Sequence, residues 1–109
     1  MHADQKIDYV ELPARDLERA KVFYSDVFGW TFEDYGPDYC AFNDGHLDGG
    51  FYRTDLSSSA ASGAALVIVY AADLEGTRAR VLDHGGTLVR DIFSFPGGRR
   101  FQFADPNGN

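Results

Sequence analysis

Cys40 is the single cysteine of the chain, which excludes an intramolecular disulfide framework and every cysteine-based zinc motif. No apolar run approaches the roughly 18 residues of a membrane span. The polar stretch Met1 to Lys6 carries no signal-peptide core. These absences point to the cytoplasm and away from a membrane partner. Positive charge is scarce as well: 10 basic residues face 17 acidic ones, a net charge of −7. Such a surface repels phosphate backbones unless its cations gather on one face, and the only dibasic step is Arg99-Arg100. A nucleic-acid partner is therefore disfavoured.

What is present suffices for one packed domain of 109 residues, with 44% hydrophobic and 15% aromatic content. Ile7 to Leu12 alternates and reads as a strand that ends near Pro13. Asp16 stands at a helix N-cap. Leu17, Ala20, Phe23, Tyr24, Val27 and Phe28 follow at helical spacing, and Gly29 supplies the left-handed stop. Short strands are expected at Trp30 to Glu33, Tyr39 to Asn43 and Leu47 to Arg53, with turns at Tyr35 to Asp38 and Asp44-Gly45. Thr54 to Gly63 is small and polar and reads as a linker.

Beyond the linker the pattern starts again. Ala64 to Tyr70 is a β-forming run, Asp73 an N-cap, and Leu74 to Leu82 a weaker helix that stops at Gly85-Gly86. Thr87 to Asp91 and Arg99 to Ala104 read as strands around the hairpin loop Ser94 to Gly98. Asp105-Pro106-Asn107-Gly108 is a strongly signalled turn. An offset of 57 residues lays Asp16-Leu17-Glu18 on Asp73-Leu74-Glu75, Asp26 on Asp83, Gly29 on Gly86 and Val10 on Val67. Matches at both helix ends and in the preceding strand favour internal duplication. The fold class is thus α+β in one domain: module one spans about 7–53, the linker 54–63 and module two 64–109, with the last strand of the second module missing.

Three stretches resemble the vicinal oxygen chelate superfamily, which includes glyoxalase I, bleomycin-resistance proteins and extradiol dioxygenases. Asp16 to Tyr24 with Val27-Phe28-Gly29-Trp30 resembles its first helix, Asp73-Leu74-Glu75 through Gly85-Gly86 its second, and Phe103 to Asn109 its last turn. The resemblance implies paired βαβββ modules, a mixed sheet curled around a cleft, and a homodimer. It also implies metal ligands, usually His, Glu or Gln, on the first and last strands of each module. Those positions carry Tyr9 and Leu66 on the first strands and Gly49 or Gly50 on the last strand of module one. The fourth would follow Asn109. The expected metal site is therefore absent, and no cofactor is expected; a divalent metal is the alternative.

Glu11 shares the face of Tyr9 by strand alternation, as a cation partner, a base or a solvated carboxylate. His46, in a loop, and Glu11 are the secondary candidates for a metal ligand. Tyr9, Glu11, Tyr39, Tyr52, Leu66 and Ile68 form the expected ligand pocket, since tyrosines offer stacking area with a polar tip. Cys40 reads as a core residue, His84 as a partner of its helix C-terminus, and no catalytic triad is formed. The expectation is a metal-free protein that binds a small molecule, with drug sequestration of the bleomycin-resistance type as one version. A metal-dependent lyase- or dioxygenase-like enzyme and a ferredoxin-like interaction domain are the alternatives.

Overall fold

The computed structural model describes residues 2–109. Asp16 Oδ1 accepts from the Arg19 backbone N–H at 3.1 Å and starts α1 (Leu17–Phe28), which Gly29 stops at φ 74°. The apolar stripe of α1 buries Leu17, Ala20, Phe23, Tyr24 and Val27. Its platform is a mixed four-stranded sheet of β1 (Tyr9–Ala14), β2 (Thr31–Asp34), β3 (Tyr39–Asn43) and β4 (Asp48–Arg53), in the order β1-β4-β3-β2. β1 and β4 run parallel, while the β2-β3 and β3-β4 pairs are antiparallel.

Side-chain alternation sends Cys40, Phe42 and Phe51 to the helix side, where all three are buried. Trp30 stacks between Tyr24, at 4.6 Å between centroids, and Phe42, at 4.5 Å. Cys40 is wholly buried there, as a core residue, and burial pushes its thiol pKa up.

The second half supplies α2 (Leu74–Asp83), β5 (Thr87–Phe95) and β6 (Gly98–Ala104). Asp73 Oδ1 caps α2 through the Gly76 backbone N–H at 3.0 Å, as the offset from Asp16 requires. The other end comes earlier than that offset puts it, the C-cap by two residues and the left-handed glycine by one. His84 is the C-cap, its Nδ1 hydrogen-bonded to Arg80 O at 2.7 Å, and the left-handed glycine is Gly85, at φ 94°. Of the weaker helical face only Thr77 and Val81 are buried. β5 and β6 are longer than expected and leave Pro96-Gly97 as the connection. Phe101 and Phe103 of β6 pack on the core.

One element departs from the expectation. The β-forming run 64–70 makes no ladder, and Leu66, Val67, Ile68, Val69 and Tyr70 are all exposed. β propensity describes fit to a neighbouring strand, and no strand forms without one. In the first half the neighbour of β1 is β4, and the run 64–70 has no such neighbour among the described residues. The turn that follows β6 packs on the first half instead. Asp105 and Asn107 are buried, and Asn107 clasps the backbone of Asp16 from both sides: Oδ1 accepts from Asp16 N at 2.9 Å and Nδ2 donates to Asp16 O at 3.0 Å. Asn109 Nδ2 donates to Pro13 O at 2.7 Å. The turn 105–109 is thus a clasp across the β1–α1 junction.

Candidate functional site

The sheet face turned away from α1 gathers the polar aromatics. Alternation along β1 puts Tyr9 and Glu11 on this face, and the ladders set Glu11 beside Gly50 and Tyr39 beside Tyr52. Four of the six expected pocket residues therefore share one surface: Tyr9, Glu11, Tyr39 and Tyr52. Three are joined directly. Tyr39 Oη donates to Glu11 Oε2 at 2.8 Å and lies 2.5 Å from Tyr9 Oη. A phenol has one proton, so with the Tyr39 proton given to Glu11, Tyr9 is the donor to Tyr39. The order is Tyr9 to Tyr39 to Glu11.

Glycine makes this arrangement possible. A Cβ on Gly50 would run into the Tyr39 hydroxyl and ring carbon and into the Tyr9 hydroxyl, and a Cβ on Gly49 into the Phe42 ring and Val10 O. On the open face, the volume a β4 side chain would fill at residue 50 is taken by the phenol of Tyr39. Burial, followed by the hydrogen bonds to Tyr9 and Glu11, raises the Tyr39 pKa well above the ordinary 10.0. Tyr39 is thus a neutral hydrogen-bonding group at ordinary pH and not a base. Glu11 uses only Oε2 within the protein, among the described residues. Its other oxygen remains for a cation or a donor.

The remaining expected residues stand apart. Leu66 and Ile68 lie on the unladdered run 64–70, 47% and 65% exposed, and belong to no sheet with Tyr9. His46 sits in the turn that Asp44 Oδ1 organises through the N–H groups of His46 and Leu47. It lines a hollow of about 270 Å³ with Lys6, Asp8 and Asp48. A second hollow, about 290 Å³, lies at Glu18, Val22, Phe23, His84 and Pro106. Neither contains the Tyr9 group, which lies on an open face.

Tyr9, Gly50 and Leu66 present no imidazole or carboxylate at the expected positions. Among the described residues no three His, Cys, Asp or Glu side chains come together as a metal-holding group.

Sequence reasoning missed two features: the contact of Tyr39 with Gly50, for which Gly49-Gly50 was the only signal, and the buried carboxylate of Asp105. Asp105 Oδ2 accepts from Tyr24 Oη at 2.8 Å, and Oδ1 accepts from the backbone N–H groups of Asn107 and Asn109.

The sequence model of one family, described as the Glyoxalase/Bleomycin resistance protein/Dioxygenase superfamily, matches residues 6–109. A "Glyoxylase-like domain-containing protein" of Didymella fabae is 57% identical over 28 residues, which is 26% of this chain and 22% of that protein. A glyoxalase-related enzyme from Fulvimarina pelagi superposes with a TM-score of 0.70 at 21% identity, covering 96% of this chain and 84% of its own. Lactoylglutathione lyase from Agrobacterium tumefaciens superposes with a TM-score of 0.69 at 22% identity, covering 98% and 90%. At such identities the solved structures share the fold.

Proposed function

Given that the chain belongs to the glyoxalase/bleomycin resistance protein/dioxygenase superfamily, we propose that it binds a small organic molecule on its open sheet face, without a metal ion. The observation that carries this reading is the seat of the Tyr39 phenol over Gly50, hydrogen-bonded to Tyr9 and Glu11. Tyrosine rings there offer π surface, and Glu11 offers a carboxylate oxygen. The ligand class they suit is a planar or aromatic cation, and the net charge of −7 favours its approach. Drug sequestration is one form of such binding, since it requires affinity alone. A homodimer is the assembly proposed with it, because the exposed run 64–70 offers an apolar surface to a second copy.

The test is calorimetric titration with benzyltrimethylammonium and with its neutral isostere neopentylbenzene-type analogues held at matched solubility. Saturable binding of the cation that is lost in Glu11→Gln and Tyr39→Ala, with both variants folded by circular dichroism, is the expected result. Absence of saturable binding, or binding indifferent to both substitutions, sinks the proposal.

A further inference from the structure

The hairpin of β5 and β6 carries a second group of residues, on other strands than the Tyr9 group. Its ladder pairs Arg90 with Gln102 and Phe93 with Arg100, with a register shift between the two pairs. Arg100 and Gln102 share the face opposite Phe101 and Phe103, and the shift brings Arg90 and Phe93, three residues apart, onto it with them. The arginines are held by aromatic rings. The Arg90 guanidinium carbon lies 3.6 Å from the centroid of Phe93. That of Arg100 lies 5.4 Å from the same ring and 5.1 Å from Phe95.

Two like charges on one ring repel each other, so a counter-charge is expected nearby. The neighbouring cations have theirs: Arg78 pairs with Asp91 at 2.7 Å and Arg99 with Glu75 at 2.7 Å. Neither Arg90 nor Arg100 forms an ion pair among the described residues. Arg100 Nε is moreover buried with no hydrogen-bond acceptor among the described residues, which leaves the terminal nitrogens of this guanidinium as its donors to an incoming oxygen. A guanidinium presents its donors in a planar fork that matches a carboxylate. Cation–π contacts have already fixed the guanidinium groups, so little freedom remains to be lost on binding.

We propose that the β5–β6 face is a binding site for a small carboxylate, held between Arg90 and Arg100 with Gln102 as a further donor. The site lies in a different sheet from the Tyr9 group and makes an overall acidic protein locally anion-selective. The probe is sodium benzoate, titrated calorimetrically into the full chain at constant ionic strength, with benzamide as the uncharged isostere and inorganic phosphate as the competing anion. Expected are saturable benzoate binding, none for benzamide, weakening of at least tenfold in both Arg90→Gln and Arg100→Gln, and no effect of Glu11→Gln. Arg90 is exposed, so Arg90→Gln tests the site even if Arg100→Gln unfolds the hairpin. Benzoate binding unchanged in Arg90→Gln, equal binding of benzamide, complete displacement by equimolar phosphate, or no saturable binding would each overturn the assignment.

Discussion

Tyr24 Oη, on α1, donates a 2.8 Å hydrogen bond to Asp105 Oδ2, 81 residues along the chain and inside the core. The ring of Tyr24 stacks on Trp30 and meets Phe23 edge-on, so one side chain joins the aromatic core to the closing turn. Replacing Tyr24 with Phe keeps the stacking and removes the only hydroxyl. A hydrogen bond to a charged, buried acceptor is worth roughly 1.5–3 kcal/mol. Tyr24→Phe is expected to lower stability by about that amount, read as a shift in the urea midpoint with an unchanged slope. A loss below about 0.5 kcal/mol would show that the bond is exchanged for water at little cost.

Alkaline pH should weaken the fold. Burial, then the charge and hydrogen bond of Asp105, hold the Tyr24 pKa well above the ordinary 10.0, and Tyr39 is raised as well. Each phenol keeps its proton in the folded chain at pH values where the unfolded chain gives it up. Their contribution is fully present below about pH 10 and is lost progressively as pH rises beyond it, by up to about 1.4 kcal/mol per unit for each group. Denaturant midpoints taken between pH 9 and pH 11 should fall, and should fall less steeply in Tyr24→Phe and in Tyr39→Phe. A parallel decline in all three proteins would place the effect on other groups.

Gly50→Ala introduces a Cβ where the hydroxyls of Tyr39 and Tyr9 now lie. Overpacking of this kind costs roughly 1–3 kcal/mol. Tyr39→Ala clears the space, so the double variant should lose less than the sum of the two single losses. Thermal melts of the four proteins in the cycle measure this, and strict additivity would mean that Tyr39 does not occupy the volume above Gly50.

Elemental analysis after exposure to Zn, Ni, Mn and Fe(II) should return far less than one metal per chain, with the melting temperature unchanged by a chelator. Near-stoichiometric metal that disappears in Glu11→Ala would instead make a metal-dependent lyase- or dioxygenase-like enzyme the working model.

The exposed stretch 66–70 is an apolar segment that joins no ladder, the kind of surface that pairs between molecules. Ile68→Lys, at a side chain already 65% exposed, should change stability by no more than about 0.5 kcal/mol and reduce light scattering on concentration. Unchanged scattering would exclude this run as a source of association.

Features decided by near neighbours in the chain were legible in the sequence. Asp16 and Gly29 bound α1 as their chemistry requires, and alternation alone put Glu11 beside Tyr9 on the outward face. Features decided by register or long-range contact were not. That Tyr39 lies over Gly50 depends on how β3 pairs with β4. The run 64–70 has ideal strand residues, yet a ladder needs a second strand, and the described residues supply none. The burial of the turn 105–109 against Asp16 depends on contacts across the whole domain.

The clasp of Asn107 on Asp16 joins residues 91 positions apart. Such a contact forms only after a long loop closes, and closure entropy delays it relative to the local helix and hairpins. During synthesis, α1 and the four-stranded sheet can leave the ribosome and collapse while the backbone of Asp16 still has no partner from the last turn. The first half therefore collapses before its seal exists: closure of the start of α1 waits on a turn that is made 91 residues later.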